Sequence, residues 1–138
     1  MRADGTTQDW IEYAERDYET AKLLMDADKA LLEIVAFHCQ QAVEKYLKAV
    51  LVASNEKVPY VHDLAFLNRK AQEYLPELKS MEDECERLTP YGTLSRYPQH
   101  ILEITEDMLP LLLKWTEGIR KIVRNFLIHD PTPPRSEA

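Results

Sequence analysis

Residues 31–53, Leu31 to Ala53, read LLEIVAFHCQQAVEKYLKAVLVA. At about 100° per residue this stretch winds into a helix with two unlike faces. Val35, Cys39, Ala42, Val43, Tyr46, Ala49 and Val50 share one broad apolar arc, as a core helix requires. On the other arc His38, Gln41, Lys45 and Lys48 recur at alternating steps of three and four, so their side chains stack along one line. Gln40 and Glu44 flank that line, and Ile34, Phe37 and Leu51 interrupt it with apolar groups. A face meant only for water has little use for Phe37. This one is expected to be partly covered, by a ligand, a second copy of the chain, or another helix of a bundle.

Outside this stretch the composition sets bounds. A chain of 138 residues with 45% hydrophobic content is about one domain long and can bury a core. Only three glycines occur, and apolar residues recur at helical intervals, which predicts an all-α fold. No apolar run reaches the roughly 18 residues of a membrane span, and the opening MRADGTTQDW has no apolar signal core. A cytoplasmic location without membrane association is expected. Cys39 and Cys85 each fall on an apolar stripe and read as small buried hydrophobes rather than a disulfide. A formal net charge of −7 opposes non-specific binding to nucleic acid, so any phosphate site must be a local cluster of cations such as Lys45 and Lys48.

Taken in order, Thr6 or Thr7 can cap a first helix, with Asp9 favourable in its first turn, and Trp10, Ala14, Asp17, Ala21 and Met25 form its inner stripe. Asp17 is the odd member. An acid in line with an apolar stripe belongs at its edge, and a buried one needs a partner such as Lys45 or Arg96. Helix two should fold back antiparallel after a short polar turn, with Asp28 as a cap. SNEKVPY, residues 54–60, makes a loop, since Pro59 disfavours helix at Val58 and Asn55 suits a helix end. His62 and Asp63 then open a third helix whose inner stripe is Leu64, Leu67, Ala71 and Tyr74. Pro76 separates it from a fourth, with Leu78, Met81, Cys85 and Leu88. The segment TPYGTLSRYPQH is the longest irregular connection and carries Arg96, Tyr97 and His100. Leu112, Trp115, Ile119, Ile122 and Phe126 mark a long closing helix. The tail PTPPRSEA has no periodicity and is expected to be disordered.

Four blocks of this chain, in order and at similar separations, resemble the HEPN domain of prokaryotes. They are Trp10 with Ala14 and Asp17, AFHCQQAVEKYLKAVL from Ala36 to Leu51, HDL at His62 to Leu64, and RYP at Arg96 to Pro98. The resemblance covers nearly the whole chain. It implies an antiparallel up-and-down bundle of four to five helices over residues 1–130, followed by a disordered tail at 131–138. It also implies a homodimer, often encoded beside a minimal nucleotidyltransferase and acting with it as a toxin–antitoxin pair. For such domains both nucleotide binding and, in some branches, metal-independent RNA cleavage have been proposed. The cleaving branches carry an arginine followed four to six residues later by a histidine. Here Arg124 precedes His129, and the tyrosine that should follow is replaced by Pro131.

Two functional readings follow. In the first, the chain is a module that binds a nucleotide or RNA phosphate through His38, Gln41, Lys45 and Lys48, with Arg96 and Tyr97 arriving from the long connection. Lysine and arginine hold phosphate, and tyrosine stacks on a base. In the second, Arg124 and His129 cleave RNA, the imidazole as base and the guanidinium as stabiliser of the charged phosphorane. Against each stands an ordinary role: lysines on a solvated face, and a histidine and arginine neutralising the last carbonyls of a helix. His62 reads as local capping. No glycine-rich phosphate loop, histidine pair of zinc type or other metal cluster is present, so neither cofactor nor metal is expected.

Overall fold

The computed structural model describes residues 5–26, 31–92 and 104–129, and among these every regular element is helical. Helix α1 spans Thr7–Leu24, α2 Leu32–Ala53, α3 Leu64–Ala71, α4 Glu82–Leu88 and α5 Leu109–His129, with 3-10 turns at Pro76–Met81, Thr89–Gly92 and Glu106–Met108. The all-α bundle that the periodicity predicts is the fold observed. Asp28, the connection through Arg96, Tyr97 and His100, and the tail at 131–138 lie outside the described residues.

Local chemistry sets the helix ends. Thr6 accepts from the Asp9 amide at 3.0 Å while the Asp9 carboxylate accepts from the Thr6 amide at 3.0 Å, a reciprocal box that opens α1. At the far end of α2, Asn55 adopts a left-handed φ of 63°. Its amide donates to Val52 at 3.0 Å and that of Glu56 to Leu51 at 2.8 Å, closing α2 in a Schellman turn. Asp63 caps α3 by accepting from the Ala65 and Phe66 amides. Pro110 lies in the first turn of α5, where its missing amide hydrogen has no carbonyl to satisfy.

Helix α2 is the central element and packs on α1, α3, α4 and α5. Trp10 faces Lys48, and Asp17 faces Lys45 and His38, so ascending positions on α1 meet descending positions on α2. Glu15 meets Arg124 and Tyr18 meets Glu117, so α1 is antiparallel to α5 as well. Every member of the apolar arc of α2, from Val35 to Val50, is buried. Each large side chain so placed contributes about 1.5–3 kcal/mol of transfer free energy. Burial pushes the Cys39 thiol up to about 11 and that of Cys85 to about 12, so both are inert packing groups. Among the described residues no helix is long and apolar enough to cross a membrane.

Two expectations fail around Pro76. The stripe Leu78, Met81, Cys85 and Leu88 is divided between a 3-10 turn and α4 instead of occupying one helix. Tyr74 lies beyond the end of α3 and is exposed, its hydroxyl donating to Glu56 at 3.0 Å. The cause is Pro76, which disfavours α geometry at Leu75; that residue sits at φ −140°, ψ 78° and breaks the path. Asn68 holds the pieces together. Its buried amide donates to the Leu78 carbonyl at 3.0 Å and lies 3.5 Å from the Cys85 sulfur. Asn68→Ala would strand the Leu78 carbonyl, and chemical denaturation should show a loss of about 1–3 kcal/mol with an unaltered slope. An unchanged midpoint would contradict this role.

Candidate functional site

The polar arc of α2 is partly covered, and α1 supplies carboxylate and aromatic partners along it. Asp17 is 8% exposed, well inside its stripe, and its two oxygens take different partners. One accepts from His38 Nδ1 at 2.8 Å and the other from Lys45 Nζ at 2.5 Å. One turn further along α2, Glu44 and Lys48 form a buried pair at 2.9 Å, each side chain only 6% exposed. The Lys48 ammonium also lies 5.7 Å from the centre of the Trp10 ring.

The same Glu44 carboxylate reaches the segment that leads into α3. His62 Nδ1 lies 3.0 and 3.1 Å from its two oxygens and must be the donor, because a carboxylate only accepts. His62 is therefore more than a local cap; Asp63 fills that role. Gln40, fully buried, donates to Glu44 at 3.3 Å and to the His62 carbonyl at 3.1 Å, and accepts from Gln41 at 2.8 Å. Gly92 packs on this amide so closely that a Cβ there would come within 2.7 Å of it.

Of the residues expected to hold a ligand, His38, Gln41, Lys45 and Lys48 thus all have partners inside the fold. Arg96 and Tyr97 lie outside the described residues. Sequence reasoning treats Gln40 as a flanking residue, although it carries the join between α2 and the start of α3.

A different arrangement lies between α1 and α5. Arg120, Lys121, Arg124 and Asn125 line an open groove of about 420 Å³, with Tyr18, Glu117 and Ile128. Glu15, from α1, holds both arginines: Arg120 Nε donates to one oxygen at 2.9 Å and Arg124 Nη1 to the other. Burial alone would raise the Glu15 pKa; the guanidiniums outweigh it and hold the carboxyl below its usual range. Arg120 also lies 4.7 Å from the centre of the Tyr18 ring. The Tyr18 hydroxyl donates to Glu117 at 2.9 Å, and burial with that bond pushes its pKa to about 12.

Arg120 and Arg124 thus share the Glu15 carboxylate, while Lys121 and Glu117 line the same solvent-open groove. The spacing to His129 singles out Arg124 in the sequence. Arg120 and Lys121 escape notice there, because cations on an amphipathic helix read as a solvated face. The signal available is the i, i+4 spacing of Arg120 and Arg124, which puts both guanidiniums on one line. His129 closes α5. Among the described residues no group of His, Cys, Asp and Glu could hold a metal ion.

The buried Glu44 and Lys48 give a direct test of the α2 network. Removing one charge of a buried pair leaves the other uncompensated, so Glu44→Ala should cost about 3–5 kcal/mol in equilibrium unfolding. Glu44→Leu combined with Lys48→Met should recover most of that loss. A loss below about 1 kcal/mol for Glu44→Ala would mean that Lys48 finds solvent.

Comparison with known proteins agrees with this architecture. A crystal structure of TT1696 from Thermus thermophilus is similar with a TM-score of 0.75 at 21% identity, covering 86% of this chain and 96% of that one. The crystal structure of ST0689, described as an archaeal HEPN homologue, is similar with a TM-score of 0.66 at 22% identity, covering 88% and 97%. No curated protein matches the chain. At these identities the two structures speak for the fold alone. The HEPN domain model, however, matches residues 7–126, from the start of α1 nearly to the end of α5, and the chain belongs to the HEPN family.

Proposed function

We propose that this HEPN protein binds a nucleotide or RNA phosphate, and that the phosphate is taken by the groove between α1 and α5 rather than by the polar arc of α2. One observation carries the reading. Lys48 is matched by Glu44 inside the bundle and Lys45 by Asp17 near its edge, whereas Arg120 and Arg124 share the single carboxylate of Glu15 beside an open groove that Lys121 also lines. Guanidiniums present a planar fork suited to phosphate oxygens, Asn125 adds an amide, and the exposed flank of Ile128 offers an apolar surface for a base. The net charge of −7 surrounds this patch with repulsion, so binding should be local and limited to few phosphates.

From the family we further propose a minimal nucleotidyltransferase as partner, in a toxin–antitoxin pairing, and a homodimer as the binding form. Co-expression with a nucleotidyltransferase encoded beside this chain, followed by purification of a complex, tests the first of these. A second reading, metal-independent RNA cleavage, draws on Arg124 lining the groove on the helix that His129 ends. Incubation with RNA in EDTA separates the two: cleavage by the wild type that disappears in His129→Ala makes the groove catalytic, and intact RNA with both proteins leaves it a binding site.

Binding of a fluorescent oligouridylate, followed by anisotropy, should fall at least about tenfold in Arg120→Gln/Arg124→Gln, since charged hydrogen bonds are lost. Lys45→Gln should leave affinity unchanged. With three cations engaged, log K should fall against log salt with a slope of about −2 for a single strand. Equal loss in Lys45→Gln, or no loss in the double variant, would return the site to α2.

A further inference from the structure

Glu15 is an acid of α1 that faces two cations of α5. Its carboxylate oxygens are divided between the two guanidiniums, Arg120 Nε donating to one at 2.9 Å and Arg124 Nη1 to the other. One anion of the chain itself therefore already spans both arginines that line the groove. The Glu15 side chain is less exposed than either of theirs, so the guanidiniums and not the carboxylate form the wall that a ligand would touch. Around this trio the formal charges nearly balance. Two guanidiniums against one carboxylate leave a single positive charge, and the lining adds one charge of each sign, Lys121 and Glu117. Lys22, whose ammonium lies 5.0 Å from the centre of the Tyr18 ring, has Glu19 at 3.8 Å. Tyr18 adds no charge, since its pKa is near 12 and its hydroxyl donates to Glu117 at 2.9 Å. Among the described residues a ligand in the groove thus meets a surplus of one positive charge, with a carboxylate on each of the two flanking helices.

We infer that Glu15 is a specificity-determining residue, which sets the groove for the singly charged phosphate of a diester and against the doubly charged phosphate of a terminal monoester. The inference rests on the binding reading given above and narrows its ligand. A diester carries one negative charge, and the surplus in the groove matches it. A monoester carries nearly two at neutral pH, because its second pKa is about 6. That additional charge finds no further unmatched cation and stands beside Glu15 and Glu117, and like charges brought together at a binding site are costly. The dianion also has more hydration to lose. Without Glu15 the same two guanidiniums would present two positive charges to one ligand, which suits a dianion. The carboxylate thus holds the arginines side by side while halving the charge they offer. It keeps this role below neutral pH as well, since the guanidiniums hold its pKa below the usual range.

The test uses uridine monophosphate and its methyl ester, which share a base and sugar and differ in phosphate charge. Each competes with a fluorescent oligouridylate bound to wild type or to Glu15→Gln, with anisotropy as the readout. At about pH 8 the methyl ester should displace the oligouridylate from wild type at a concentration about tenfold lower than the monophosphate needs, because the monophosphate carries the unmatched charge. Glu15→Gln, whose thermal unfolding confirms that it is folded, should erase or invert that ratio by strengthening the monophosphate. A second measurement needs no substitution. At about pH 5 the monophosphate is mostly singly charged while Glu15 stays ionised, so wild type should bind the two competitors alike. Both meet the same protein at each pH, so the ratio reports the ligand's charge. Equal displacement at the higher pH, a preference for the monophosphate, or a tenfold preference that persists in Glu15→Gln would overturn the inference and keep the groove. So would displacement by neither compound, since the site described holds a single phosphate. Failure of wild type to bind the oligouridylate would overturn the groove and this inference together.

Discussion

Helix α2 is enclosed by four other helices, and that enclosure governs what its ionisable residues can do. A charge removed from water must be neutralised nearby, or its desolvation is not compensated. Lys48 lies at 5% exposure and Glu44 at 4%, so the two answer each other, with His62 and Gln40 completing the shell. Lys45 and His38 converge on Asp17 in the same way. Such pairs add little net stability over apolar packing. Their geometric demands do fix register: Asp17 can meet both partners only when α1 lies at one height along α2, and Glu44 can meet His62 only when α3 begins where it does.

The same constraint decides where an external anion can be held. An ammonium buried with its own carboxylate, as Lys48 is with Glu44, offers little to a phosphate. Cations on the outer side of α5 remain in contact with solvent, and there Glu15 serves as an internal counter-ion that is only partly buried. Its depressed pKa expresses how strongly the two guanidiniums favour an anion at this point. The shared carboxylate holds Arg120 and Arg124 side by side, which lowers the ordering entropy that binding must overcome.

Much of the fold is legible in the sequence because the physical signals are local. The apolar arc of α2, the cap at Thr6 with Asp9 in the first turn, the helix end at Asn55 and the cap at Asp63 each follow from residue types at fixed spacing. The division of the segment after Pro76 is not legible, since alternating steps of three and four suit either one helix or a 3-10 turn running into a short one. The site is harder still. A helical wheel shows that His38, Gln41, Lys45 and Lys48 share a line but not which neighbour covers it. That α1 brings Asp17 to this line, and not to its own exposed edge, depends on tertiary register. Arg120 escapes a sequence reading because it resembles an ordinary surface cation. Its significance comes from Glu15, which stands far from it in the chain and meets it where α1 packs on α5.

The central claim is that anions bind between α1 and α5 while the charged arc of α2 serves the fold. A nitrogen-edited NMR titration of the intact protein with oligouridylate tests it without altering a residue. The account predicts saturable shifts concentrated at Arg120, Lys121, Arg124 and Asn125 and across the facing turn of α1 around Glu15, with Lys45 and Lys48 unmoved. Shifts centred on His38, Lys45 and Lys48, with the α5 groove silent, would contradict it.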